Sequence, residues 1–389
     1  LKRDPGNYNV NVALGILYYK RGMFEEAEEK FRTAIERATK NYTSPRDGEA
    51  YYYWGLILQL QGKYDDAYNA FYKAAWSYAF QSAAYFHLSE IDCLRDDFPT
   101  ALKHINLSIV TNALNTKALN LKTAILRHLG RYEEAEKIPA KILSDDPLNL
   151  WAEFELYLTK SAVGSEEAAA EIKNSLMAKR DGKVQHWYKA QTFLEIAVDY
   201  SNCGLWDEAI NILCLLTDSD KKKATTYPLV YYYLGNFWDK KGNADKASQY
   251  YKLGSEMPPD YCFPFRSESI EMLQTAFRNN PEDARAPYYL GNLFYDYQPE
   301  NAIIEWEKSR ALDNNFATVN RNLGMAYARV ENDIQKAIAS LEKAVACDSS
   351  DPRLFYELDV LYEAGCVSPE KRLVLLQKNH QTIVGHNDA

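Results

Sequence analysis

The feature that most constrains this 389-residue chain is that it repeats itself. Ala67, Ala101 and Ala135 stand 34 residues apart, each inside the same local text. Leu14-Gly15-Ile16-Leu17-Tyr18, followed by Gly22, Phe24, Ala27, Phe31 and Ala34, returns as Trp54-Gly55, Leu58, Gly62, Tyr64, Ala67, Phe71 and Ala74. A third copy reads Leu88-Ser89, Asp92, Phe98, Ala101, Ile105 and Ser108, and a fourth Leu126, Gly130, Tyr132, Ala135, Ile142 and Pro147. A fixed period of this kind means one supersecondary unit copied along the chain, each copy exposing an apolar face that only its neighbour can cover. A core built this way lengthens instead of thickening, which suits a chain too long for one compact core.

Within each copy the apolar residues follow the helical period twice in succession. The small residues, Gly55 and Ala67 in the second copy, let two antiparallel helices approach closely, while the ring at Phe24 or Tyr64 wedges between neighbouring pairs. Gly62 and Gly130 supply the left-handed turn that ends a first helix. Regular text resumes at Ile196-Ala197 with Gly204 and Ala209, at Leu234-Gly235 with Ala247 and Tyr251, at Leu290-Gly291 with Ala302 and Trp306, and at Leu323-Gly324 with Ala337 and Leu341. The third of these has one residue fewer between its Gly and Ala than the regular copies, and the fourth has one more, so turns of different length are expected. The expected organisation is an N-terminal array over 1–150, a degenerate junction over 151–190, a C-terminal array over 191–380 and a polar tail over 381–389.

Two expansions interrupt the period. Gly235 to Gly291 spans 56 residues, and the excess is largely Met257 to Ser269, where Pro258, Pro259 and Pro264 forbid a continuous helix and predict a loop leading into a helix over Ile270 to Arg278. Asn41 to Gly48 is the other, also rich in turn formers.

These motifs resemble the tetratricopeptide repeat (TPR) family over nearly the whole chain. The fold expected is all-α: a right-handed superhelical solenoid of antiparallel helix pairs. A finer resemblance rests on DGEAYYYWGLILQLQGKYDDAYNAFYKAAW, SAAYFHLSEIDCLRDDF, PPDYCFPFR and ARAPYYLGNLFYD. Together these look like the C-terminal TPR portion of large bacterial proteins whose N-terminal part is a β-rich domain of unknown function. That resemblance implies an association with carbohydrate utilisation. The chain starts at Leu1 without Met and enters a helical pattern at once, so it is expected to be part of something longer.

Composition narrows the partner. The net charge is -9, with both signs interspersed, whereas a nucleic-acid partner calls for a clustered basic face. No apolar run approaches the length needed to cross a bilayer, and no signal core opens the chain. Cys93, Cys203, Cys214, Cys262, Cys347 and Cys366 occur singly, without metal-ligand spacing, which fits a reducing, cytoplasmic setting with no metal and no cofactor. Phosphate loops, nucleophile elbows, His-Glu-x-x-His and dinucleotide fingerprints are absent, so no catalysis is expected. Paired acids such as Glu25-Glu26 and Glu133-Glu134 start second helices, where the helix dipole accounts for them.

The concave face of such an array is lined by fixed positions of each first helix. They give Tyr52, Tyr53 and Gln59, then Phe86, His87 and Glu90, then Asn120, Arg127 and His128. Later copies give Tyr232, Tyr233, Asn236 and Asp239, then Arg285, Tyr288, Tyr289, Asn292, Tyr295 and Asp296, then Arg321, Asn322 and Arg329. Rings beside amides and guanidinium groups suit recognition of a peptide or a sugar. Polar and aromatic inward residues are densest late in the chain, so the expected site is Tyr232, Asn236, Tyr288, Asn292, Tyr295, Arg321, Asn322 and Arg329, flanked or roofed by the Met257 to Ser269 insertion. Tyr52, Phe86, His87 and Arg127 are the secondary candidates. Asn292 and Asn322 occupy positions used by the TPR clamps that grip chaperone C-termini, but Tyr288 stands where the clamp has Lys, and the next pair offers Arg353 with Glu357 in place of two bases. The expected function is an interaction scaffold for a peptide or partner domain, including other domains of the same full-length protein. The alternative is an accessory arm of a larger carbohydrate-active protein.

Overall fold

The computed structural model describes residues 4–41, 47–181, 186–217 and 227–384, and among them there are 22 helices and no strand. The helices come in consecutive pairs. They are α1 (Tyr8–Lys20) with α2 (Phe24–Thr39), α3 (Glu49–Leu60) with α4 (Tyr64–Ala74), α5 (Tyr78–Leu94) with α6 (Phe98–Thr111), and α7 (Thr116–His128) with α8 (Tyr132–Asp145). Next come α9 (Leu150–Ala162) with α10 (Glu166–Asp181), α11 (His186–Asn202) with α12 (Trp206–Thr217), and α13 (Pro228–Lys240) with α14 (Ala244–Glu256). The unpaired α15 (Glu268–Asn279) precedes α16 (Arg285–Phe294) with α17 (Pro299–Leu312), α18 (Ala317–Ala326) with α19 (Ile334–Cys347), α20 (Pro352–Ala364) with α21 (Pro369–Lys378), and the short α22 (His380–Val384). Most of the Asn41 to Gly48 expansion, Gly182 and the tail beyond 384 lie outside the described residues.

One contact explains the pairing. A side chain added at Gly15 would meet the Phe31 ring at 2.6 Å, at Gly55 the Phe71 ring at 2.7 Å, at Gly235 the Tyr251 ring at 2.5 Å, and at Gly291 the Trp306 ring at 2.4 Å. Each first helix therefore leaves a notch into which a ring of its second helix is pressed, and those four rings are buried. Where the third pair has Ser89 in place of glycine, its hydroxyl donates to the Ala101 carbonyl at 3.0 Å, so the added polar group is satisfied inside the contact. Ala27, Ala67, Ala101 and Ala135 have no exposed surface.

Most pairs turn through one left-handed residue, glycine at Gly62 and Gly130 but Asp96, Asn332 and Cys366 elsewhere. The two odd-length copies resolve differently. α16 stops after ten residues, and its turn runs through Tyr295–Tyr297. After α18 the additional residue widens the backbone into a π turn over Tyr327–Glu331 before the left-handed Asn332.

By internal contacts the chain forms two compact units. The first holds α1–α12 together with Phe237–Asn243, and the second holds Tyr227–Asn236 and the described residues from Ala244 onward. The main break between these units falls after α12.

Candidate docking surfaces

In the first unit the inward positions are taken up by the chain itself. Arg127, near the end of α7, points its guanidinium at Glu155 of α9 (Nε to Oε2, 3.2 Å) and Glu208 of α12 (Nη1 to Oε1, 3.0 Å). His128 Nε2 lies 2.7 Å from the same Glu208 oxygen, with its ring stacked 4.6 Å from Phe98. Tyr200 of α11 donates to Glu155 at 2.6 Å, and Lys117 of α7 pairs with Asp199 of α11 at 2.6 Å. A side chain added at Gly204, between α11 and α12, would sit 3.2 Å from the Leu94 Cα at the end of α5. The α11–α12 pair therefore reaches back onto α5 and α7, covering the face a ligand would need. Burial alone would raise the Glu208 carboxyl, but the hydrogen bond from His128 and the charges of Arg127 and His128 overcome it and hold the group at about 2. Arg127 is held above its usual range, since its two carboxylates outweigh desolvation.

Further toward the N-terminus of this unit, the Tyr52 hydroxyl lies 3.4 Å from His87 Nε2, His87 Nδ1 lies 2.7 Å from Glu90 Oε2, and Gln59 donates to Glu90 at 3.2 Å. The chain of contacts has the outline of a base relay. Burial, however, pushes the Tyr52 hydroxyl well up and keeps it protonated, and the His87 ring is stacked 4.8 Å from Phe71. The arrangement is a packed polar core, not an activated nucleophile.

The second unit is different. Tyr232 and Tyr289 have no exposed surface, and Tyr288 and Tyr233 are also buried. The Tyr232 hydroxyl donates to Asp283 at 2.7 Å, while Asp283 accepts the backbone N–H groups of Arg285 and Ala286 and so caps α16. Burial raises the Asp283 carboxyl against the opposing pull of those hydrogen bonds. Tyr232 and Tyr288 were expected in the groove and are corrected here to interior residues: each packs its ring against neighbouring rings, Tyr288 at 4.7 Å from Phe316 and Tyr232 at 6.1 Å from Tyr289. Phe86 and Arg127 are corrected likewise, Phe86 being buried and Arg127 ion-paired inside the first unit.

The remaining late candidates do come together. Asn292 Oδ1 accepts from Trp306 Nε1 and from Asn322 Nδ2, both at 3.2 Å, so one hydrogen bond joins the two amides. Tyr295, half-buried, lies 5.1 Å from Trp306. Arg321 forms a bidentate pair with Glu357 of α20, with Nε at 2.7 Å. Asn236 is half-buried, and Arg329 is exposed on the π turn without an ion pair among the described residues. The same repeat register, carried one pair further, places Arg353, Tyr356, Glu357 and Val360 inward on α20. Tyr356 is 71% exposed and Val360 46%, and the sequence reading had overlooked both.

The insertion forms a ribbon. Cys262 is fully buried and Pro264 is buried, while Tyr261, Phe263 and Phe265 between and beside them are 75%, 65% and 65% exposed. Asp260 and Tyr261 form a turn, with Tyr261 in the left-handed region, and burial alternates over the residues that follow it. The Cys262 thiol rests against the Tyr227 and Tyr289 hydroxyls, and burial pushes it up to about 12, so it stays a neutral anchor. Tyr261 lies within electrostatic reach of Arg353, and Asp260 within that of Tyr288. The ribbon therefore runs beside the inward positions of α16 and α20.

Among the described residues no helix is long and apolar enough to cross a membrane, and no cluster of three metal-ligating side chains occurs. Among solved structures, the chain is similar to a tetratricopeptide repeat protein from Parabacteroides merdae at 16% identity, covering 70% of this chain and 98% of that one with a TM-score of 0.44. A Naa15/Naa10 assembly bound to HypK-THB matches at 14% identity, covering 95% of this chain and 68% of the other, with a TM-score of 0.33. The Cut9–Hcn1 hetero-tetramer of the APC/C matches at 14% identity, with coverages of 98% and 89% and a TM-score of 0.28. Residues 2–82, which hold the first two helix pairs, match the tetratricopeptide repeat family model.

Proposed function

We propose that the chain is a non-catalytic interaction scaffold and that its second unit carries the docking surface for an extended peptide segment of a protein partner. The observation that carries this reading is the exposure of Tyr356 and Val360 at inward repeat positions on α20, beside a ribbon that exposes three further rings. Large apolar groups at positions that elsewhere in the chain are packed or paired are the expected mark of a surface held for a partner. Arg329, Tyr295 and the Asn292–Asn322 pair hold inward positions of the two preceding pairs and offer polar contacts that hold a peptide backbone in register. The equivalent face of the first unit is already covered by α11–α12, which supports assigning the site to the second unit.

The test is selection of peptides from a random 12-residue display library on the intact chain, with a Tyr356→Ala/Arg329→Ala chain as counter-target. Peptides that bind the native chain and lose at least tenfold in affinity on the double variant support the site. Binding that survives both changes and is lost on Tyr52→Ala would move the site to the first unit.

A further inference from the structure

We infer that a second copy of this chain covers the outer face of α21, through an antiparallel contact between the two α21 helices about a two-fold axis at Val374. The inference goes beyond the docking reading, which concerns the inward positions of α20, and the two stand or fall separately.

Two observations carry it. The first is what the last pair lacks. The fifth residue of a second helix is Ile210 in α12, Ile303 in α17 and Ile338 in α19, and all three are buried. Ile338 lies under the following pair, since a side chain added at Gly365, just past α20, would sit 2.6 Å from its Cδ1. The fifth residue of α21 is Leu373, which is 54% exposed beside Val374 at 62%, and α21 buries none of its residues. A repeat array ends either on a polar outer face or against something that covers the apolar one, and α21 presents an apolar one.

The second observation says what fits there. Glu370, Leu373, Val374, Gln377 and Lys378 recur at the spacing of one helix face and are all exposed, while Arg372, Leu375 and Leu376 are half-buried. Glu370 meets Ser368 and its own backbone N–H but no cation, and Lys378 forms no ion pair among the described residues. The other charges of the helix are engaged within the fold, Arg372 with Asp359 at 2.8 Å and Glu363 at 3.5 Å, and Lys371 over the Tyr362 ring. The unpaired acid and the unpaired base stand four residues to either side of Val374, about 12 Å apart along the helix. Laid antiparallel on itself, the face sets Glu370 of each copy beside Lys378 of the other, with Leu373 and Val374 of both between them. A parallel register would bring like charges together. Self-complementarity of this kind is what a two-fold contact requires. One short helix from each side is a small interface, so the dimer should be weak, with a dissociation constant on the order of tens of micromolar.

Sedimentation velocity of the intact chain, at concentrations of about 1 to 200 μM that bracket a weak dimer, tests it. A monomer–dimer equilibrium is expected. Glu370→Lys and Lys378→Glu should each weaken the dimer at least tenfold, because each sets like charges across both symmetry-related contacts. The double variant Glu370→Lys/Lys378→Glu should recover dimerisation to within threefold of the native chain. Leu373→Asp should abolish it, and Tyr356→Ala, on the inward face of α20, should leave it unchanged. All of these positions are exposed, so melting temperatures close to the native one are expected and separate loss of the contact from loss of folding. A chain that stays monomeric over the whole range would overturn the inference and leave the face to a different protein or a further helix pair. A dimer indifferent to Leu373→Asp, or single charge variants that the double variant does not restore, would overturn it by placing the contact elsewhere or in another register.

Discussion

Arg127 on α7 and Arg321 on α18 are both inward-facing guanidinium groups of first helices, yet their surroundings differ. Arg127 is enclosed between two carboxylates with 11% of its side chain exposed, and one of those, Glu155, has none exposed. Arg321 faces one carboxylate, and 32% of its side chain remains in solvent. The contrast extends along each unit. Around Arg127, α11 and α12 bring Asp199, Tyr200 and Glu208 onto the inner face, whereas Arg321 is followed by Tyr356 and Val360, which nothing in the described chain covers. The same repeat position can thus serve as a structural brace or as the edge of an open surface, and burial decides which.

The largest expected effect is therefore at Arg127. Arg127→Met strands the buried Glu155 without a counter-charge and leaves Glu208 with His128 alone, and a loss of about 3–5 kcal/mol is expected in urea unfolding of the first unit. Arg321→Met should cost less than about 1 kcal/mol, because its pair is partly solvated. Equal losses at the two sites would remove the distinction drawn here.

Acid should act on the first unit in the same way. Glu208 is held at about 2 in the folded chain against an ordinary 4.5. A carboxyl depressed by folding contributes stability that is complete above its unfolded value and lost as pH falls toward its folded one. On the order of 3 kcal/mol should disappear between about pH 5 and pH 2, and Glu208→Gln should flatten that part of the pH profile. Urea midpoints measured across this range check it.

Smaller effects refine the packing. Ala101→Leu, at a fully buried helix contact, should cost roughly 1–3 kcal/mol, read as a lowered melting temperature. Cys262→Ser exchanges an apolar anchor for a hydroxyl among tyrosines and should cost about 1 kcal/mol or less. Its signature should be faster hydrogen exchange in residues 258–266 with the helix pairs unchanged.

Much of the fold was legible because the repeat marks its own close contacts: Gly55 was read as a point of close helix approach, and Gly15, Gly55, Gly235 and Gly291 each admit a ring of the paired helix, a partner the spacing alone did not name. The insertion was legible from its three prolines, and the helix after it begins at Glu268, two residues before the expected start. The site was read less well. Repeat position places a residue on a face but does not say what else covers it, so Tyr232 and Tyr288 were assigned to a groove although Asp283 and Phe316 enclose them. The return of α11–α12 onto α5 and α7 depends on contacts such as Gly204 with Leu94, more than one hundred residues apart, which no local pattern announces. The hydrogen bond between Asn292 and Asn322 joins neighbouring pairs, so no reading within one repeat could find it. Tyr356 and Val360, by contrast, lay within reach of the same register carried one repeat further.

Hydroxyl-radical footprinting of the native chain, read residue by residue, tests the contrast between the two faces most directly. Oxidation of Tyr261, Phe263, Phe265 and Tyr356 is expected to run at least tenfold faster than that of Phe86, Trp151 and Tyr200, which are all buried. Comparable rates for the two sets, under conditions where the chain remains folded, would contradict the account of a covered first face and an open second one.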